Sequence, residues 1–323
     1  MRMLALGQAW VDGGGRVEAL LDAPETLRER YRLEGFDLRP ASDEPADLLR
    51  DDPRVVAAID RADVAVDDLT GLGEGGARTL VVDDLARLPS YPVALVLNQN
   101  AHADASQYGA VAADRLLLGL RYVLLRREFR SVPERTIPRD ARHILVTFGG
   151  GDPAGMTSRA LQAIDRLPGA LRSGLEVRVI VGAANPDAAR IASAAREATG
   201  ARIIVERAVD DMVEAMSWAD LAITSGGSTV WELARTGCPA LVVSTVPGEV
   251  PMISGLREVD VFDALGQADR LTPADIADAI GRRLVDHEWR SHTSKRAREL
   301  VDGQGAARVV DALVALPRGS TGP

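Results

Sequence analysis

Asp220-Leu221-Ala222-Ile223-Thr224-Ser225-Gly226-Gly227-Ser228-Thr229-Val230-Trp231-Glu232 reads as a short apolar strand, a turn of small residues and the start of a helix. No bulky side chain stands between Ser225 and Ser228, so a large anion can approach the backbone there. The helix that follows presents its unpaired N–H groups and the positive end of its dipole to that gap. Glu232 lies about one turn into the helix, where a carboxylate reaches a sugar hydroxyl. A strand, loop and helix of this kind is a place to hold the diphosphate and ribose of a nucleotide. The same residues have a plainer reading. Thr229 and Glu232 have the Thr-x-x-Glu spacing of a capping box, which needs no ligand. Small residues in a strand-to-helix turn are also ordinary packing.

Outward from this stretch, short apolar segments alternate with longer helical patterns, which points to parallel α/β units. In the first half, strands are predicted at Val17–Leu21, Asp63–Val66, Thr79–Val82 and Val93–Leu97. Helices are predicted at Arg2–Val11, Pro24–Leu33 and Pro53–Arg61. The polar, proline-bearing stretch from Arg130 to Asp140 reads as an interdomain linker. Strands then resume at His143–Phe148, Val177–Val181, Ile203–Val205, Leu221–Thr224 and Ala240–Ser244. Helical patterns close the chain near Pro273–Asp286, Glu288–Val301 and Ala306–Leu316. The predicted domains are residues 1–132 and 141–316, two doubly wound units facing a cleft at the carboxyl ends of their strands. The chain opens directly in the amphipathic segment Met3–Trp10, with no strand before it.

Composition narrows the function classes. The 323 residues are 46% hydrophobic but only 4% aromatic, so the cores are built from Ala, Leu, Val and Ile. A net charge of −9 argues against a general nucleic-acid or anionic-membrane surface. A nucleotide pocket must then rely on local amides rather than a basic field. Cys238 is the single cysteine, which excludes a disulfide framework and a thiolate metal cluster. No apolar run reaches the roughly 18 residues of a membrane span, and the start lacks the apolar core of a signal peptide. A cytoplasmic protein is the expectation.

Phe148-Gly149-Gly150-Gly151-Asp152-Pro153 is a second glycine turn between strand and helix. Its glycines let the backbone meet a phosphate or sugar. Equally, Asp152 would be a helix N-cap with Pro153 at the first helical position. Asp67-Asp68 and Asp83-Asp84 each follow an apolar strand, where carboxylates bind a metal or act in acid/base work, or else serve as N-caps or solvated loop charges. The four histidines fit no common zinc spacing. His102, in Asn98-Gln99-Asn100-Ala101-His102, is the one that follows a strand end.

Several blocks together match one family. They are Arg2–Leu6, Leu80–Ala86, Asn98–Asn100, Leu118–Phe129, Val146–Pro153, Met212 and Ser225–Glu232, in order over most of the chain. On these the chain resembles the UDP-sugar hydrolases of pseudaminic acid biosynthesis and the related spore-coat polysaccharide biosynthesis proteins, which have the GT-B glycosyltransferase architecture. The resemblance implies that Ser225, Gly226, Gly227, Ser228 and Thr229 hold a diphosphate and that Glu232 holds ribose hydroxyls. The segment before Met212 would pack on uracil, and Gly149, Gly150 and Gly151 would lie against the donor. Three departures stand out. The family opens with a strand and a Gly-x-Gly-His loop before the segment matching Arg2, so the first domain is expected to lack its first strand. Leu69 stands where the family often has tyrosine. Val246-Pro247-Gly248-Glu249-Val250 replaces a polar Asn-Gln.

The expected protein is an α/β, GT-B nucleotide-sugar enzyme of glycan or deoxysugar biosynthesis. It would cleave the glycosyl–phosphate bond of a UDP-sugar and pass the sugar to water or to another, unknown acceptor. Asp67, Asp68 and His102 are the candidate bases, with no metal, cofactor or nucleic acid and no membrane span. The alternatives are a nucleotide-sugar-binding protein with impaired catalysis and a sugar-nucleotide epimerase.

Overall fold

The computed structural model describes residues 1–40, 55–74, 78–197, 200–207, 209 and 211–317. The chain divides into two compact units, Met1–Arg130 with the segment from Gly303 onward, and Ser131–Asp302.

The second unit is built on six parallel strands: β7 (His143–Thr147), β8 (Glu176–Val181), β9 (Arg202–Arg207), β10 (Leu221–Ser225), β11 (Ala240–Ser244) and β12 (Asp263–Gln267). Their order is β12-β11-β10-β7-β8-β9. β10 and β11 are buried along their whole length, which explains why they read as unbroken apolar runs. On one face, Val146, Val179, Ile223 and Val243 pack under Met156, Ala160 and Ile164 of a helix at Met156–Arg166 (α4). Ile276 and Ile280 of the helix Pro273–Val285 (α10) complete that layer. The helix Thr229–Thr236 (α8) lies on β10 and β11, and the helices Met212–Trp218 (α7) and His287–Leu300 (α11) pack beside it.

The first unit opens with α1 (Arg2–Asp12) and holds two parallel sheets. β1 (Glu18–Leu20) and β2 (Asp37–Arg39) flank α2 (Glu25–Leu33). β3 (Val56–Ile59), β4 (Arg78–Val82), β5 (Leu95–Asn98) and β6 (Leu116–Leu118) pair in chain order. Helix α1 serves both sheets. Its Leu4 packs with Tyr31 and Phe36, while Ala5, Leu6 and Ala9 pack with Leu80, Leu95 and Leu97.

Three sequence expectations are corrected. The helix predicted over Pro53–Arg61 is strand β3, whose Val56 and Ile59 pair with β4; Pro53 and Arg54 lie outside the described residues. β-branched residues at both ends suit a pleated strand better than a helix. The strand predicted at Asp63–Val66 gives way to helix α3 (Val66–Glu74). Asp67 and Asp68 occupy its first turn, where they complement the dipole, and Ala65 N donates to Asp68 Oδ2 at 2.9 Å. The last helix, α12 (Gly305–Ala315), leaves the second unit and packs Ala306, Val309 and Leu313 into the first unit's core. Gly305 permits this, because a methyl group there would lie 2.2 Å from Val123 O.

Cys238 follows Gly237, the left-handed residue (φ 68°) that ends α8. It is fully buried, and burial pushes its thiol up to about 11. The thiolate is the species that attacks the disulfide of Ellman's reagent, so Cys238 should react with it only after denaturant is added. The folded pKa lies above the unfolded one. The associated stability is therefore complete below about pH 9 and is lost as pH rises toward 11, by at most about 3 kcal/mol. Native protein that reacts at pH 8 as fast as denatured protein would contradict this placement.

Candidate functional site

In the second unit the strand order reverses between β7 and β10, with β8 and β9 on one side and β11 and β12 on the other. Doubly wound sheets bind ligands in the crevice at the carboxyl ends of such a pair. Thr147 pairs with Thr224, so the turns that follow β7 and β10 emerge side by side. They are Gly149–Gly151 and Ser225–Ser228, the two small-residue turns singled out in the sequence.

The Ser225–Ser228 turn is open at its backbone. Gly226 N donates to Val243 O at 3.1 Å, and the helical bonds begin only at Val230 N (to Gly227 O, 3.1 Å) and Trp231 N (to Ser228 O, 3.1 Å). Among the described residues, the N–H groups of Gly227, Ser228 and Thr229 find no acceptor. Ser228 is the N-cap, and no side chain caps the helix. The capping box is thus not formed: Thr229 sits inside the helix, one residue past the cap. Glu232 is 9% exposed on the first turn of α8. Such a helix start is equipped for an anion.

The glycine turn is shaped by its neighbours. Gly149 has φ 72° and Asp152 φ 47°, both left-handed. Asp152 accepts from Met156 N (2.8 Å) and Thr157 N (2.9 Å), so its carboxylate caps α4. The helix begins at Met156 after the N-cap residue Gly155, so Pro153 is not its first residue. Gly149 and Gly150 are exposed. Met212 opens α7 and is half-buried; in the segment before it, Ala208 and Asp210 lie outside the described residues.

Sequence reasoning missed one contributor to this edge, Glu249. It lies in a 3-10 turn (Pro247–Glu249) after β11, the strand next to β10. Thr245 N and Thr245 Oγ1 donate to its Oε2 at 2.6 and 3.0 Å. A methyl group on Gly226 would lie 3.0 Å from Glu249 Cβ, and one on Gly227 3.7 Å from Glu249 Oε1. The bareness of Gly226 is therefore set partly by this side chain. The signal available in the sequence was a carboxylate a few residues beyond a buried strand end.

In the first unit, polar residues gather at the carboxyl ends of β3, β4 and β5. Arg2, at the start of α1, donates to Asp60 (2.7 and 3.1 Å) and to Asp84. Burial pulls its guanidinium pKa down, but Asp84 and Asp60 outweigh that and raise it. Asn100 Nδ2 donates to Asp84 Oδ1 at 2.6 Å and to Asn98 Oδ1 at 3.0 Å. His102 Nε2 lies 2.9 Å from Asp84 O, a carbonyl to which it donates, while Nδ1 is buried with no partner among the described residues. Asp83, 1% exposed, accepts from Leu85 N, Arg87 N and Tyr91 OH and organises the loop. Asp67 and Asp68 belong to the first turn of α3, not to a strand end. The described residues contain no group of three or more His, Cys, Asp or Glu that could hold a metal ion.

Two parallel α/β units, one with open amide turns at its switch point, define the GT-B fold, and comparison with solved structures shows it for this chain. Acinetobacter baumannii MurG superimposes with TM-score 0.64 over 98% of this chain and 95% of that one, at 15% identity. A putative UDP-N-acetylglucosamine 2-epimerase from Listeria monocytogenes does so with TM-score 0.65 over 97% and 92%, at 14% identity. At such identities the likeness is one of fold. By sequence, residues 143–247 match the glycosyltransferase family 28 C-terminal domain. The spore coat polysaccharide biosynthesis protein SpsG of Bacillus subtilis (strain 168) is 27% identical over 200 residues, covering 62% of this chain. The chain spans 58% of that relative's length. No described helix is long and apolar enough to cross a membrane.

Proposed function

We propose that this chain is a nucleotide-sugar enzyme of polysaccharide biosynthesis that cleaves the glycosyl–phosphate bond of a UDP-sugar and transfers the sugar to water or another acceptor. The open N–H groups of Gly227, Ser228 and Thr229, beside the glycine turn at the switch point, carry this reading. They face the charge that grows on the diphosphate as the bond breaks, and preorganised amides are worth most at such a place. Glu232 holds the ribose hydroxyls, Gly149 to Gly151 lie against the donor, and Met212 borders the base. Family 28 similarity across the same strands supports a glycosyltransferase-like donor domain, and the naming of SpsG supports the polysaccharide pathway. Asp67, Asp68 and His102 are the candidates for the base that takes the acceptor's proton.

Calorimetric titration with UDP tests the nucleotide site. The wild-type chain should bind, and Glu232→Gln should weaken binding by about 1–3 kcal/mol, the loss of charge-assisted hydrogen bonds. A folded variant with unchanged affinity removes Glu232 from the site, and a wild-type chain without affinity removes the site itself. Release of UDP from UDP-N-acetylglucosamine, with and without added acceptor extract, then separates hydrolysis from transfer.

A further inference from the structure

We propose that Glu249 is a specificity-determining residue that makes the diphosphate turn prefer a sugar-bearing donor over the free nucleoside diphosphate left after reaction. The inference rests on the nucleotide reading of the Ser225–Thr229 turn. Glu249 is anchored through one oxygen only: Thr245 N and Oγ1 both donate to Oε2. Its stem lies against Gly226, and its other oxygen, Oε1, faces Gly227. A carboxylate is thus fixed at the mouth of a turn whose amides are arranged for an anion.

That placement costs something for every phosphate bound there, but not equally. In a nucleotide sugar each phosphate is a diester-like group carrying a single charge. In free UDP the distal phosphate is terminal, with a second ionisation near pH 6, so it carries close to one further negative charge at pH 7. A carboxylate a few ångströms away repels that extra charge, with an interaction set by the partly exposed site. When a sugar is attached, its hydroxyls can donate to Oε1, and the same carboxylate becomes an acceptor. Both effects favour the donor and expel the product. They also give a reason for an acidic side chain at a phosphate turn, which an anion site alone would avoid.

Glu249→Gln isolates the charge, because the amide oxygen can still accept from Thr245 and hold the loop. With the full chain, UDP and UDP-N-acetylglucosamine would each be titrated by calorimetry at pH 7.5 and at fixed ionic strength. Glu249→Gln should bind UDP about three- to tenfold more tightly than wild type does, while UDP-N-acetylglucosamine does not gain. Equal changes for the two ligands, or no change, in a variant with wild-type circular dichroism and melting temperature would overturn the role of Glu249 and leave the nucleotide site standing. Absence of UDP binding in both proteins would overturn the nucleotide site and this role with it.

Discussion

Gly182→Ala is expected to destabilise the second unit by about 3 kcal/mol, at the upper end of overpacking costs. Gly182 follows β8, and a methyl group there would lie 2.3 Å from the carbonyl oxygens of both Gly149 and Gly150 and 2.5 Å from Gly150 Cα. Those atoms are backbone, so no side chain can rotate aside; the Gly149–Gly151 turn itself has to move. The urea midpoint should fall with little change in slope, since the surface exposed on unfolding is unchanged. Gly150→Ala is the matching control. Nothing lies within 4 Å of a methyl group at Gly150, so stability should change by less than about 1 kcal/mol. If the turn lies against the donor, Gly150→Ala should weaken UDP binding while leaving the midpoint in place. A Gly182→Ala protein as resistant to urea as wild type would mean that the two loops do not approach this closely.

How much was legible in the sequence differs between the two units, for physical reasons. β7, β8, β10 and β11 announce themselves because strands covered on both faces must be apolar at almost every position. β12, Asp263-Ala264-Leu265-Gly266-Gln267, lies at the sheet edge and carries a single large apolar residue, Leu265, so it went unread. In the first unit, Val56-Ala57-Ala58-Ile59 is too short to separate strand from helix by period, and its alanines tilted the reading to helix. The Ser225–Ser228 and Gly149–Gly151 turns were legible because bare backbone is encoded by small residues. Their adjacency was not, since it depends on the β7–β10 pairing. Nor was Glu249, whose role appears only once β11 is placed beside β10. The amphipathic pattern of α12 fixed that it would cover a core but not which one; the close fit of Gly305 on Val123 decides that in space.

Arg290→Met should cost about 1–3 kcal/mol, the range for leaving the partners of a lost charged donor unsatisfied. Arg290 is 0% exposed in the first turn of α11. Its Nε donates to Arg283 O at 3.1 Å, Nη1 to Pro138 O at 2.8 Å and Nη2 to Arg139 O at 2.8 Å. Burial pulls its guanidinium pKa down, against the opposing charges of Asp220, Asp286 and Asp140. Methionine preserves the bulk but removes this donor from Arg283 O, Pro138 O and Arg139 O; Pro138 and Arg139 are exposed residues, so water replaces part of what is lost. Arg290→Lys should recover only part of the loss, because a single ammonium cannot reproduce a planar fork aimed at two successive carbonyls. The consequence reaches the polar stretch that the sequence reads as a linker. Residues 131–140 are tied to the second unit by Arg290, by Arg298 Nη1 to Pro133 O (2.8 Å) and by Arg135 Nη1 to Met216 O (2.9 Å). Arg135 also reaches Ser217 O, and so closes the carboxyl end of α7, the helix that leads into β10. Loss of Arg290 should therefore raise the rate of proteolytic cleavage between Ser131 and Asp140 in native protein as well as lower the urea midpoint. A methionine variant within about 1 kcal/mol of wild type, with unaltered cleavage, would show that this stretch is a passive connection after all, and that the second unit is complete without it.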